Sequence, residues 1–531
     1  MTVADLVIAQ LRDAGVRAIF GVPGGGGNLD LIAAAGRAGL PFVLTSTETA
    51  GAIAALAQAE ITGGAGAALT TLGPGAASVV NGVACAFLER APIVVFTDTQ
   101  PSSFEHQRLD HAALMDPIVN WSTTLDPATA RETVARAIRK ARQGRPGPVH
   151  VNCPAGTAAG EAAGSDTPAY NRTEAGRVFR SAMATGDLDR LIAASRKPLL
   201  IAGLGARRAA DTAAIRDLCT RRGIPAMVTY KAKGVVADGD EWFAGVFTNA
   251  AIEQAVIDES DLLIGIGLDP VELLPRPWKG KPAIVSCNPW PVEDMHIPFA
   301  ARLVAPVTEA TRLIDTALAE SQWDARLVRT LVDWQLQQIR VPGDGLTAQR
   351  VVDIAVAQLA GSSGRVTVDA GAHMLPATTL WPVRDPNGML ISNGLSTMGF
   401  ALPAAIGASL LDRPSPVVAL TGDGGLLMCA GELLTAAREK LPVMTIVFND
   451  ASLSLIEVKQ QARGLAAAGV ALGHVDWPRM AEAVGVEAWT AADEASLERA
   501  IAEARTRPGP TLVEAKIDRS NYGATLRAVR G

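Results

Sequence analysis

Short runs of β-branched and apolar residues alternate with longer Ala-rich stretches along the whole chain. Val3, Leu6, Val7 and Leu11 recur at helical spacing. Ala18–Val22 and Pro41–Thr45 then read as strands, and Glu48–Ile61 reads as a helix. Ala67–Thr71 is strand-like and runs into Gly73-Pro74-Gly75 and a further helix, and Pro92–Phe96 is the next strand. The first block ends near Val149–Asn152, and the Gly/Ala/Ser/Pro-rich stretch Ala155–Pro168 reads as a linker. A second block opens at Lys197–Gly205, continues through Asp261–Gly267 and closes around Val307. A polar helix, Gln322–Arg340, bridges to a third block with strands at Val366–Val368, Val417–Leu420, Val443–Phe448 and Thr511–Glu514, and with a helix Leu426–Arg438. Strand–helix alternation of this kind predicts parallel sheets covered by helices, here as three α/β units in series at 1–160, 185–325 and 345–531. No short internal repeat is visible.

Composition narrows the function. With 531 residues, the prior of roughly 150 residues per domain also gives about three units. A chain that is 48% hydrophobic and 19% charged has ample core. The net charge of −6 comes without a basic stripe, so nucleic acid is not an expected partner. Five scattered cysteines without a CxxC pair read as reduced thiols of a cytoplasmic protein, and six histidines without HExxH give no zinc signature. The opening MTVADLVIAQLRDAGV lacks a basic segment followed by an apolar one, and no run of about 18 apolar residues appears, so neither a secretion signal nor a membrane span is expected.

The chemistry concentrates in the third block. Gly422-Asp423-Gly424-Gly425 follows a buried strand and opens a helix, and the next strand ends in Phe448-Asn449-Asp450-Ala451-Ser452. Both acidic side chains therefore sit at the C-terminal ends of strands, where open α/β sheets bind ligands. The glycines let backbone approach a phosphate, and helix N-terminal amides add donors. Two carboxylates and a carbonyl suit an octahedral Mg²⁺ completed by phosphate oxygens and water. A lone Gly-Asp turn would be ordinary; the two halves together carry the reading.

GDGG followed by FND is similar to the thiamine diphosphate signature, GDG and then NN or ND. With SNGLSTMGFALPAAIGA at 392–408 and ELLTAAREKLPVMTIVFND after the GDGG, the chain resembles the acetolactate synthase and 2-oxo acid decarboxylase superfamily, which includes benzoylformate decarboxylase and benzaldehyde lyase, over nearly its whole length. The resemblance implies a pyrimidine-binding domain (1–160), a central domain (185–325) and a domain for the diphosphate and Mg²⁺ (345–531). It implies Asp423, Asp450 and the carbonyl of Ser452 as metal ligands, with Gly422, Gly424 and Gly425 beside the cofactor. It makes Met398 an apolar wedge under the cofactor and the backbone of Ser396 an acceptor for the pyrimidine amino group, although the family usually has Gly at that position. His373 resembles a His near the diphosphate; the Gln that often precedes it is Ala372 here.

Glu48, read alone, is a favourable dipole partner in a helix's first turn. Together with Gly63 and the GPG at 73–75 it matches the family Glu, with Thr47 replacing the usual preceding His. The resemblance implies that its carboxylate, hydrogen-bonded to the pyrimidine, helps remove the very weakly acidic thiazolium C2 proton. It also implies that Glu48 of one subunit meets a cofactor held by another, hence a homodimer or homotetramer with active sites between subunits.

The run Gly21–Asn28 resembles the family loop near the reacting carbon, with glycines where aldehyde-releasing members carry acidic, Ser or His side chains. As residues alone it reads equally as a flexible loop. Thr71 stands where some decarboxylases have a proton-donating His. Gln107 matches a Gln near the acetolactate synthase site, His106 replaces a Phe, and His111 aligns with an active-site Gln of benzaldehyde-lyase-like members. These three are expected substrate contacts. In the central block Gly203-Leu204-Gly205 and Gly265-Ile266-Gly267 are too short for a dinucleotide fingerprint, and no RFDDR-like stretch occurs, so FAD is not expected. The expected activity is thiamine diphosphate- and Mg²⁺-dependent decarboxylation of a 2-oxo acid, with ligation of the remaining fragment to a second carbonyl. A non-ligating decarboxylase, a 2-hydroxyacyl(-CoA) lyase or decarboxylase, and a non-catalytic cofactor-binding homologue are the alternatives.

Overall fold

The computed structural model describes residues 1–101, 103–163, 185–293, 296–359 and 364–531. The predicted linker passes outside the described residues from 164 onward. Three six-stranded sheets, each with all its pairs parallel, follow one another along the chain. In spatial order the first sheet is Phe42–Leu44, Ile19–Val22, Gly66–Thr70, Ile93–Thr99, Val149–Pro154 and Trp121–Thr124. The third is Met389–Ile391, Arg365–Val368, Val417–Gly422, Val443–Asn449, Thr511–Lys516 and Glu487–Ala491, so it repeats the first sheet's strand order. The central sheet runs Phe299–Val304, Ala283–Asn288, Leu262–Ile266, Pro198–Ala202, Ala226–Val228 and Phe243–Val246. Its inner strands are buried along their length, as expected of parallel strands covered on both faces.

The first and third units share one core. Helix Glu48–Thr62 is Ala-rich and buried nearly all round, which marks an interior helix. It packs on helix Ala401–Asp412, where Gln58 Nε2 donates to Gly407 O (3.1 Å) and a methyl on Gly407 would overlap the Ala54 carbonyl. The polar bridging helix is Ala325–Ile339. Leu426–Arg438, expected as one helix, is two: Asp423–Cys429 and Glu432–Arg438. Ser46 Oγ takes the Gly431 carbonyl (2.7 Å) and draws the chain away at the break. Among the described residues, no helix is long and apolar enough to cross a membrane.

Candidate active site

Four loops leave the C-terminal ends of neighbouring strands in the third sheet. Gly422 pairs with Phe448, so Asp423 and Asp450 emerge almost level. Gly422 is the N-cap and Asp423 the first residue of its helix. Asp423 Oδ1 accepts the Gly424 amide (2.7 Å), and Oδ2 accepts the Asp450 amide (3.2 Å). Asp450 accepts the Ser452 amide (3.0 Å) and the Ser454 hydroxyl (2.8 Å). Burial pushes both carboxyls up, and Asp423 adds repulsion that helps carry Asp450 to about 6. Ser452 Oγ donates to Glu457, itself paired with Arg519 (2.6 Å). Residues 470–472 run antiparallel along this loop: Leu453 N donates to Val470 O, and Leu472 N to Ala451 O.

Asp369, beside these two, is fully buried. It accepts the Thr421 hydroxyl (2.9 Å) and the amides of Gly399 (3.1 Å) and Phe400 (3.3 Å), joining the loop ahead of Asp423 to the loop that carries Ser396 and Met398. Burial lifts its carboxyl to about 6. Ser396 is exposed at φ +55°. Half-buried Met398 has its Cε 3.3 Å from where a Gly424 Cβ would stand, beside Leu453 at 2.7 Å. A Cβ on Gly425 would meet Asp369 Oδ2 at 2.5 Å. His373 stacks on Phe448 with 5.0 Å between centroids, and burial lowers its pKa to about 4. Its Nε2 is buried without a protein partner.

In the first sheet, Glu48 opens its helix behind the N-cap Thr47, whose hydroxyl accepts the Ala50 amide (3.2 Å). Its Oε1 lies 3.1 Å from where a Gly75 Cβ would be. Glu432 of the third unit holds the approach to it, accepting the Ser46 (3.0 Å) and Thr47 (3.1 Å) amides. The glycine run is not a free loop. Asp98 accepts the Gly26 (3.3 Å) and Asn28 (3.0 Å) amides, and a Cβ on Gly24 or Gly27 would strike Asp98 and Thr71, or Cys153. Only Gly25 of the four has open space around it.

The three expected substrate contacts separate. His106 and Gln107 are exposed, and Gln107, at φ +57°, presses its backbone on Gly73. His111 is buried: Nε2 accepts the Gly73 amide (3.2 Å) and Nδ1 faces Asn152 Oδ1 (3.2 Å). Accepting at Nε2 leaves the proton to Nδ1, and burial lowers the ring's pKa. Asp98, Asp369 and the buried His150, bonded to Thr97 and Ser122 (2.8 Å each), carry no local motif. Asp98 and His150 lie inside strands Ile93–Thr99 and Val149–Pro154, and only Asp369 follows one.

The strand order of the central sheet reverses between Pro198–Ala202 and Leu262–Ile266, the position where such sheets take dinucleotides. Glu272 fills it. Its Oε2 accepts the Leu204 (3.0 Å) and Asp269 (3.2 Å) amides, and Oε1 the Thr229 hydroxyl. Gly205 N also bonds Gly267 O (2.9 Å), closing the two loops on each other.

The third-sheet crevice fits a metal-bound diphosphate. Two mutually repelling carboxylates ask for a cation, and His373 offers an unsatisfied atom. Among the described residues no group of three or more His, Cys, Asp or Glu converges.

Residues 1–118 match the N-terminal TPP binding domain of the thiamine pyrophosphate enzymes, 187–312 the central domain and 369–515 the C-terminal TPP binding domain. The chain is 30% identical to a catabolic acetolactate synthase of Raoultella terrigena, covering 97% of this chain and 95% of that protein. It is 27% identical to an acetolactate synthase of Bacillus subtilis (98% and 93%) and 26% to the isozyme 1 large subunit of Escherichia coli (97% and 94%).

Proposed function

The chain belongs to the thiamine pyrophosphate enzymes of the acetolactate synthase type, and from that premise we propose that it decarboxylates a 2-oxo acid and ligates the remaining fragment to a second carbonyl. When bound, the cofactor supplies the carbon nucleophile and the electron sink. Asp423, Asp450 and the Ser452 carbonyl would hold Mg²⁺, and Met398, Ser396 and His373 would border the cofactor. Glu48 would hold the proton shared with the pyrimidine. Units 1–160, 185–325 and 345–531 would be the pyrimidine, central and diphosphate domains.

The observation that carries ligation over aldehyde release is the shortage of acids on the first-sheet face. Gly24–Gly27 offer no side chain there, and Asp98 behind them is engaged by amides. Burial lowers the pKa of His111, and its Nε2 is used on Gly73. His106 and Gln107 stand outside at the rim, next to the GPG turn, as the remaining candidate substrate contacts. Incubation with pyruvate should yield acetolactate, read as acetoin after acidification. Acetaldehyde as the sole product would overturn this reading.

The Glu272 plug supports a central domain without FAD: a carboxylate already occupies the amides a dinucleotide phosphate would use. Titration with FAD should leave flavin fluorescence unchanged, and saturable micromolar binding would refute it. Leu427, Met428 and Leu434 are exposed apolar side chains on the two helices that follow Asp423, which supports a subunit contact beside the site and a homodimer or homotetramer. The cysteines are buried free thiols, as in a reducing, cytoplasmic setting.

A further inference from the structure

Lys231 lies in the central unit, just past strand Ala226–Val228, yet every partner of its ammonium belongs to another unit. Nζ meets Glu60 Oε1 at 2.6 Å, Glu89 Oε2 at 3.2 Å and the Ile391 carbonyl at 3.1 Å. All three charged side chains are 1% exposed. Arg207, also central, adds a second cation to Glu60 at 3.4 Å, so the cluster balances two carboxylates with two cations.

Each partner leads into the active site. Glu60 stands on the helix that Glu48 begins. Ile391 ends the strand that feeds the loop bearing Ser396 and Met398. Glu89 uses its other oxygen on that loop, accepting the amides of Gly394 (2.8 Å) and Leu395 (3.4 Å) and the Ser392 hydroxyl (3.2 Å). Ser392 Oγ in turn accepts the Thr397 amide (3.1 Å). The loop is therefore pinned at its start by Glu89 and at its end by Asp369. Without a cation beside it, Glu89 would be left as an unpaired buried charge, drawn towards water and away from its three donors.

We propose that Lys231 is a positioning residue for the loop 392–399, acting through Glu89 and Ile391, so that the central unit helps set the cofactor's seat. This rests on the reading that the loop borders thiamine diphosphate.

The test compares the parent with Lys231→Met and Lys231→Arg in the full-length protein. Thiamine diphosphate affinity with Mg²⁺ is measured by tryptophan fluorescence, and amide hydrogen exchange is followed across 392–399. Lys231→Met should weaken affinity by at least about tenfold, the scale of lost support behind a ligand site. It should also speed exchange in the loop while leaving Val417–Leu420 protected, and Lys231→Arg should recover part of both. A folded Lys231→Met with affinity and loop exchange within about twofold of the parent overturns the proposal, even if its melting temperature falls. If Lys231→Met does not fold, Glu89→Leu, which deletes the acceptor of all three loop donors, carries the same expectation and the same overturning result. A parent that binds no thiamine diphosphate sinks the cofactor reading instead, and loop exchange alone then judges Lys231.

Discussion

Glu48 is half-buried at its helix start with Gly75 close against its carboxylate. Glu48→Gln keeps the volume and an acceptor oxygen but cannot share a proton. Cofactor affinity should hold while turnover drops by about 10²–10⁴-fold, the usual worth of a positioned acid–base group; parent-like turnover would remove Glu48 from the chemistry. Asp423→Ala deletes one of the two carboxylates proposed to hold Mg²⁺. Affinity for Mg²⁺ and thiamine diphosphate, read by calorimetry, should fall by about a hundredfold, because ligand charge sets affinity for hard cations. Unchanged affinity would refute the metal assignment. Asp423, Asp450 and Glu48 were legible because a local frame of glycines or a helix start surrounds each. Asp98, Asp369, Glu89 and Lys231 were not, because the partners described above lie between 30 and 306 residues away, a separation no local pattern encodes. His106 and His111 show the converse: their positions matched a pattern, yet one is exposed and the other committed to Gly73.

At the level of elements, long buried runs announced themselves. The helix from Glu48 and the strands at 417–422 and 443–449 were visible in apolar continuity alone. Trp121–Thr124, Ala226–Val228 and Met389–Ile391 are three or four residues long and offer too few positions for a period to show. The break at 430–431 escaped because the contact that accompanies it, Ser46 Oγ donating to the Gly431 carbonyl, comes from another unit. Gly407 tests the helix pair directly. By intrinsic propensity, Ala should stabilise a helix interior by about 1 kcal/mol over Gly. Here its methyl would overlap the Ala54 carbonyl, and Gly407→Ala should instead lower stability by about 1–3 kcal/mol. A raised melting temperature would show that the two helices can separate freely.

Across the whole molecule, the first and third sheets share a strand order that no sequence repeat betrays, since topology constrains which positions are apolar and not which residues fill them. Function is arranged around that repetition, with the central sheet's own ligand crevice filled by Glu272. Burial lifts the Glu272 carboxyl from 4.5 to about 7, so between those values the folded chain binds the extra proton. Its contribution to stability is fully present below pH 4.5 and is lost as pH rises through 7, on the order of 3 kcal/mol. Glu272→Gln keeps the acceptor for Leu204 and removes the titration. Urea denaturation from pH 5 to 8 should show the variant gaining on the parent as pH rises; parallel profiles would contradict the shift.

The buried lysine also constrains how the protein is made. Glu60 and Glu89 leave the ribosome with the first sheet, well before Lys231, and the carbonyl that completes the cluster arrives only with Ile391. Until then the nascent N-terminal unit carries two carboxylates with no counter-ion, and it gains by keeping the far end of its long helix hydrated. A fragment ending near residue 160, which lacks Lys231 and Arg207, should therefore pack more loosely around Glu60 and Glu89 than the full chain does, read as faster amide exchange there.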